Sequence, residues 1–143
     1  MNKTFYIVDD HELLRTGTVF FLETKSEWKC IGSSENIQKA IFDFEAFHEY
    51  LQLPSVLISD LNFYGKDEGF DFIKNIHEKY PDVKIIVFSM FYSTGIAQSA
   101  IKSGASGYVS KNSSSKELIS CMEKVIAGKT GINDRQEFIK RFG

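Results

Sequence analysis

The chain has 143 residues, a formal net charge of −2, 43% hydrophobic residues and 25% charged residues. These values are ordinary for a globular protein of one domain, and they give no reason to expect binding to nucleic acid, which needs a clustered basic surface. The sequence has no signal-peptide core and no apolar run of membrane-spanning length, so we expect a cytoplasmic protein that does not interact with a membrane.

Short apolar runs alternate with amphipathic segments along the chain. The runs predict strands at about residues 4–9, 28–33, 56–59, 83–88 and 107–110. A segment with apolar residues at helical spacing follows each of them. Because strand and helix alternate five times, the sequence predicts a doubly wound α/β fold, with a five-stranded parallel sheet between two layers of helices.

Local signals predict where several helices begin and end. Asn36 can cap the second helix, and Gly104 suits the end of the fourth. Ser114, followed three residues later by Glu117, is typical of a capping box at the start of the fifth helix. In the first helix, the side expected to face the sheet carries Leu13, Leu14, Phe20 and Phe21.

The end of the chain differs from the rest. Residues 129–143 carry too little apolar surface for a domain of their own. We therefore expect one domain over residues 1–128, and we expect residues 129–143 to be a linker or the start of an output region that this chain lacks.

Chemically functional residues follow four of the predicted strands. Asp60 ends the apolar run 56–59, and Asp9 and Asp10 follow the first strand. Ser89 and Lys111 follow the fourth and fifth strands in the same way. Because the carboxyl ends of parallel strands meet at one edge of a sheet, we expect these five side chains to form a site.

The residue types at this edge suit phosphoryl chemistry. Each pair of neighbouring carboxylates near a protein surface repels by on the order of 4 kcal/mol, which a divalent cation would relieve. A set of oxygen ligands with few protein donors suits Mg²⁺. An aspartate can accept a phosphoryl group, while Lys111 can pair with a phosphoryl oxygen and Ser89 can donate a hydrogen bond to another.

Each of these features alone has a more ordinary interpretation. Two aspartates after a strand form a turn or cap more often than a metal site, by about three to one. The histidines His11, His48 and His77 show no metal-ligand spacing with each other, and we interpret them as surface or cap residues. The sequence has no glycine-rich nucleotide motif and no nucleophile elbow, so nucleotide binding and serine hydrolase chemistry are unsupported. The joint arrangement at four strand ends favours the phosphoryl site.

Four motifs follow one another along the chain: Ile7-Val-Asp-Asp-His11, Val56-Leu-Ile-Ser-Asp60, Ile85-Ile-Val-Phe-Ser89 and Gly104-Ala-Ser-Gly-Tyr-Val-Ser-Lys111. Together they resemble the receiver domain of bacterial two-component response regulators, over about residues 4–128. The Asp-Asp-His opening and the glycine motif are similar to the NarL/FixJ group, in which a LuxR-type DNA-binding domain follows the receiver. The resemblance implies a flavodoxin-like sheet with strand order 2-1-3-4-5.

The resemblance also implies a role for each site residue. Asp60 would be the phosphoacceptor, Ser89 and Lys111 would contact the phosphoryl group, and Tyr108 would be the aromatic switch, turning inward after phosphorylation. The implied cofactor is Mg²⁺, and its implied ligands are Asp9, Asp10, Asp60 and the backbone carbonyl of Asn62. Three residues near the site depart from the family pattern: Tyr64, Met90 and Phe91.

The implied function is signalling rather than metabolic catalysis. A sensor histidine kinase would phosphorylate Asp60, and the only chemistry of the chain itself would be its phosphorylation and dephosphorylation. A homodimer could form on phosphorylation, and DNA would be bound by a C-terminal domain outside this chain. Two alternatives are a degenerate receiver that acts as a phosphorylation-independent interaction module, and a haloacid-dehalogenase-like phosphatase. The phosphatase needs a second carboxylate two residues after the nucleophile, where Asn62 stands.

Overall fold

The computed structural model describes residues 2–63 and 68–129. The strands are β1 (Thr4–Val8), β2 (Lys29–Ser34), β3 (Val56–Ser59), β4 (Lys84–Ser89) and β5 (Gly107–Ser110). The helices are α1 (Glu12–Lys25), α2 (Ile37–Tyr50), α3 (Gly69–Lys79), α4 (Thr94–Ser103) and α5 (Ser115–Ile126). In this described part, none of the helices is both long enough and apolar enough to cross a membrane.

All five strands belong to one parallel sheet with the order β2-β1-β3-β4-β5. Strand β3 is therefore central, with two strands on each side. The predicted fold class and strand order are confirmed. The loop around Tyr64 and the tail from residue 130 onward lie outside the described residues, so the expectations for them stay predictions.

A separate hydrophobic cluster covers each face of the sheet. Tyr6 and Val8 of β1 belong to a cluster with residues of α2, α3 and α4. Phe5 and Ile7 of the same strand belong to a cluster with residues of α1 and α5. Successive side chains of a strand point to opposite faces, so the continuous apolar runs reflect burial on both faces, as predicted.

The predicted apolar side of α1 is partly wrong. Leu13 is 91% exposed and Phe20 is 71% exposed. Leu22 is fully buried, and Leu14 and Phe21 pack partly against the same cluster. Leu13 and Phe20 are seven residues apart, as are Leu14 and Phe21, so the helical period alone offers two stripes about 100° apart. Packing on the sheet selects the second stripe.

The start of β2 also differs from its prediction. Trp28 precedes the strand, and its ring is fully buried. The indole nitrogen donates a hydrogen bond of 2.8 Å to Oε2 of Glu123 on α5. The ring therefore packs as part of the core beneath α1 and α5.

The predicted helix caps are confirmed. The side chain of Asn36 accepts a hydrogen bond of 2.8 Å from the backbone nitrogen of Lys39. The hydroxyl of Ser114 accepts one of 3.3 Å from the backbone nitrogen of Glu117. Gly104 ends α4 in the left-handed conformation, with φ of 117°.

Two glycine substitutions should change stability in opposite directions. Gly104→Ala should lower the free energy of unfolding by roughly 1–2 kcal/mol, because an alanine is strained at this positive φ. An added Cβ would also clash with the side chain of His77. Gly17→Ala should raise the free energy by roughly 0.5–1 kcal/mol, because Gly17 is helical and a Cβ there meets no atom within 4 Å. Urea denaturation of both variants measures the changes, and two shifts of the same sign would contradict the roles assigned to these glycines.

Candidate functional site

The register of the sheet brings the predicted site residues to one edge. Val8 pairs with Ser59, so Asp9 and Asp60 leave adjacent strands side by side. Ser89 pairs with Ser110, which lies directly before Lys111. The strand pairing continues past the strand ends, since the backbone nitrogen of Asp60 donates to the carbonyl of Val8 and that of Lys111 donates to the carbonyl of Ser89.

Lys111 joins two of the three carboxylates. Its Nζ donates hydrogen bonds of 2.7 Å to Oδ2 of Asp9 and 2.7 Å to Oδ2 of Asp60. The side chain of Lys111 is only 2% exposed. Burial lowers the pKa of Lys111, but hydrogen bonds and charge attraction from Asp60 and Asp9 outweigh it, so the net pKa is raised. The ammonium therefore stays charged and offsets much of the carboxylate repulsion that the sequence predicts a cation would relieve.

The carboxylate of Asp60 lies in a pocket of hydrogen-bond donors. Oδ1 accepts a bond of 2.7 Å from the backbone nitrogen of Leu61, and the backbone nitrogen of Asn62 lies 3.5 Å away. Oδ2 accepts the bond from Lys111. Asp60 is nearly buried, yet it lines a cavity of about 340 Å³. The other residues that line this cavity are Asp10, His11, Asn62, Ser89, Met90 and Phe91.

Asp9 is held by its own neighbours in sequence. Its Oδ1 accepts a hydrogen bond of 2.9 Å from the backbone nitrogen of His11. The guanidinium of Arg15, one turn into α1, donates a bond of 2.6 Å to the carbonyl oxygen of Asp9. The end of β1 is thus tied to the first turn of α1, which orients both aspartates.

The interpretation of His11 as a surface or cap residue describes its position but misses its contacts. His11 is exposed and occupies the cap position before α1, although its side chain makes no capping hydrogen bond. Its Nδ1 lies 3.1 Å from Oδ1 of Asp9 and 3.3 Å from Oδ1 of Asp10. The prediction considered only the sequence spacing between His11 and the other two histidines, which says nothing about contacts with the aspartates. The position of His11 directly after Asp9 and Asp10 was the signal that could have revealed them.

The donor set at this edge fits a divalent cation. Asp9, Asp10, His11 and Asp60 each offer one ligand atom, and these atoms all lie within 4.8 Å of one another. Carboxylate oxygens are the ligands that Mg²⁺ takes from proteins. Asn62 lines the same cavity, as its expected role requires.

Ser89 and Tyr108 are linked through the segment that follows β4. The hydroxyl of Ser89 accepts a hydrogen bond of 3.3 Å from the backbone nitrogen of Phe91. The hydroxyl of Tyr108 donates to the carbonyl of the same residue. The Tyr108 ring is 1% exposed and packs edge-on against Tyr92. Tyr108 is therefore already turned inward in this structure, whereas we expected from the sequence that this orientation would follow phosphorylation.

Loss of the Lys111 charge should destabilise the fold strongly. Lys111→Met leaves the buried carboxylates of Asp9 and Asp60 without their shared cation, which should cost about 3–5 kcal/mol in the free energy of unfolding. Because the folded-state pKa of Lys111 is raised, its contribution is complete below about pH 10.4 and is lost as the pH rises through that folded pKa.

The matched control is Lys39→Met, which breaks the exposed pair with Asp43 on α2 and should cost less than about 1 kcal/mol. Urea denaturation at pH 7 compares the two variants. Equal losses in the free energy of unfolding would show that the buried ion pairs of Lys111 stabilise the fold no more than the exposed pair does.

Comparison with known proteins gives one consistent result. The model of the response regulator receiver domain family matches residues 5–123. The oxygen regulatory protein NreC of Staphylococcus epidermidis is 31% identical over 128 residues, which are 89% of this chain and 56% of that protein. The transcriptional regulatory protein YdfI of Bacillus subtilis is 33% identical over 128 residues, 90% of this chain and 56% of that protein. The chain thus spans about half the length of these curated relatives.

A solved structure supports the same assignment. The two-component response regulator of the LuxR family from Aurantimonas sp. SI85-9A1 superposes with a TM-score of 0.84 and 25% identity. The superposition covers 99% of this chain and 97% of that chain. The chain therefore belongs to the response regulator receiver domain family, and its relatives are those of the NarL/FixJ group.

Proposed function

We propose that this chain is a phosphorylation-dependent receiver that accepts a phosphoryl group on Asp60 from a sensor histidine kinase. The observation that carries the proposal is the position of the Asp60 carboxylate. It ends the central strand, lines an open cavity, and contacts a buried ammonium 2.7 Å away. A receiver domain is in general not a metabolic enzyme, and the chemistry of this chain would be confined to its own phosphorylation and dephosphorylation.

The surroundings of Asp60 suit the transfer. A carboxylate oxygen of Asp60 would attack the phosphorus of a phosphohistidine, forming a P–O bond as the P–N bond breaks. The backbone nitrogen of Leu61 and the ammonium of Lys111 hold the carboxylate in place before the transfer. Phosphoryl transfer asks a protein mainly for such positioning and for neutralisation of charge. Lys111 and Ser89 would then contact the phosphoryl oxygens.

The residues that would hold Mg²⁺ are Asp10 and Asp60, with Asp9 beside them and the backbone carbonyl of Asn62. When bound, the cation would neutralise charge on the phosphoryl oxygens. Lys111 offsets one of the two negative charges of Asp9 and Asp60, so together with the carboxylate of Asp10 about two negative charges remain for a divalent cation to balance.

The output would run through the segment after β4. Phe91 is hydrogen-bonded to both Ser89 and Tyr108, so a movement of the Ser89 hydroxyl toward a phosphoryl group would disturb the contacts of Tyr108. The face near α4, β5 and α5 would sense the change and form a homodimer or contact an output domain. Residues 1–128 would be the receiver, and residues 129–143 would be a linker or the start of an output region. DNA binding would belong to a domain outside this chain, since its relatives include a transcriptional regulatory protein.

Asp60 should be the one residue that acetyl phosphate modifies. With Mg²⁺ present, the parent chain should gain the mass of one phosphoryl group, and Asp60→Asn should gain none because the amide is not a nucleophile of this kind. Intact-mass spectrometry measures both. The control is Asp82→Asn, an exposed aspartate before β4, which should be modified like the parent.

Two results of this experiment would contradict the proposal. If Asp60→Asn is modified at the parent's rate, another residue is the phosphoacceptor. A parent chain that gains no mass would favour the degenerate, phosphorylation-independent receiver.

Asp10 should be needed for tight binding of the Mg²⁺ that phosphorylation requires. Removing its charge from contact with the cation should cost about 1–4 kcal/mol of binding free energy, which at 1.4 kcal/mol per decade is about fivefold to several hundredfold in affinity. Calorimetric titration of Asp10→Asn with Mg²⁺ should show this loss. Asp71→Asn, an exposed position in the first turn of α3, is the control. Superimposable titration curves for Asp10→Asn and the parent would exclude Asp10 as a ligand.

A further inference from the structure

We propose that His11 is a protein ligand of the cation site and that it shifts the selectivity of this site toward the later first-row transition metals, such as Co²⁺. The inference rests on the proposed function only in that it concerns the same cation site. It goes further because the proposed function assigns His11 no role. The observation that carries it is the position of one ring nitrogen between two carboxylates.

The distances suit a shared cation. Nδ1 of His11 lies 3.1 Å from an oxygen of Asp9 and 3.3 Å from an oxygen of Asp10. In an octahedral site with metal–ligand distances of about 2.1 Å, neighbouring ligands are about 3 Å apart and opposite ligands about 4 Å apart. The ligand atoms of the four residues, including Asp60, all lie within 4.8 Å of one another. A small movement would therefore bring His11 into coordination with the carboxylates.

The backbone of His11 is fixed while its ring keeps freedom to move. The backbone nitrogen is bonded to Oδ1 of Asp9, and the carbonyl accepts a bond of 2.9 Å from the nitrogen of Arg15. The side chain is 65% exposed, so rotation of the ring breaks little packing. His11 also lines the cavity that Asp10 and Asp60 line. The ring can thus present Nδ1 to a cation that these carboxylates hold.

The chemistry of imidazole decides which cations benefit. Mg²⁺ takes oxygen ligands and keeps several waters, so it gains little from a nitrogen donor. Imidazole is a good ligand for the later first-row transition metals, whose affinity for mixed nitrogen and oxygen sites rises from Mn²⁺ through Co²⁺ to Cu²⁺, whereas Mn²⁺ prefers the oxygen ligands that Mg²⁺ prefers. His11 should therefore strengthen binding of Co²⁺ and leave that of Mg²⁺ and Mn²⁺ nearly unchanged.

The competing arrangement has the opposite consequence. If Nδ1 only donates hydrogen bonds to Asp9 and Asp10, a cation must break them in order to bind. Removing the ring would then raise the affinity for every divalent cation alike. The two arrangements therefore predict affinity changes of opposite sign for the binding of Co²⁺ to His11→Ala. Only ligation by His11 predicts that the change in affinity differs between metals.

The test is a comparison of binding constants for the isolated chain. Mg²⁺ and Co²⁺ are titrated by calorimetry, and Mn²⁺ is titrated by the paramagnetic resonance signal of the free ion. His11→Ala should bind Co²⁺ about tenfold more weakly, a loss typical of metal sites that lose a supporting group, and should bind Mg²⁺ and Mn²⁺ within about twofold of the parent. The visible spectrum of bound Co²⁺ should also change.

Two further variants make the outcome specific. His11→Asn offers an amide in place of imidazole and should lose the preference for Co²⁺ while keeping Mg²⁺ binding. His48→Ala removes an exposed histidine of α2 that packs near Tyr80, and it should bind all three metals like the parent. Circular dichroism of each variant establishes that it is folded.

The inference is overturned if His11→Ala changes the three affinities by the same factor, or if it raises them. A failure of the proposed function is distinguishable, because phosphorylation of Asp60 is measured separately by mass. A chain that is phosphorylated but shows no effect of His11 on selectivity overturns this inference alone. A chain that binds Co²⁺ through His11 but is never phosphorylated overturns the proposed function alone.

Discussion

The buried ammonium of Lys111, which follows β5, donates to carboxylates that follow β1 and β3, each at 2.7 Å. Two carboxylates this close and this deeply buried would repel strongly in the absence of a positive charge. The bridge therefore holds the carboxyl ends of three strands together, and it determines which carboxylate oxygens remain for other partners.

The carboxylate oxygens at the carboxyl edge of the sheet have different partners. Lys111 uses Oδ2 of Asp9 and Oδ2 of Asp60, while Oδ1 of Asp9 faces His11. The carboxylate of Asp10 lies beside the same ring. On one side of the acidic cluster a fixed ammonium thus offsets one of two carboxylate charges, and the other side faces the cavity. A cation or a phosphoryl group approaching from the cavity would meet groups whose positions are already set, which reduces the cost of ordering them.

The same edge is connected to the packing around Tyr108. The backbone of Phe91 accepts from the Tyr108 hydroxyl and donates to the Ser89 hydroxyl, so one short segment touches both the site and the core. The Tyr108 ring fills space beneath that segment and packs against Tyr92. A change in the hydrogen bonds of Ser89 can therefore reach Tyr108 directly through the backbone of Phe91.

The fold class and the group of residues at the carboxyl edge could be predicted from the residues alone, and the strand order followed from the family resemblance. This was possible because strand polarity brings every strand end to a common edge, whatever the details of packing. Packing against the sheet was needed to show which stripe of α1 is buried, since Leu13 and Leu14 begin stripes of equal period that differ only in phase. Tertiary structure also decided the bridging role of Lys111, the contact of His11 with the aspartates and the inward orientation of Tyr108. These depend on the directions of side chains from separate segments, and a linear pattern of residue types does not contain that information.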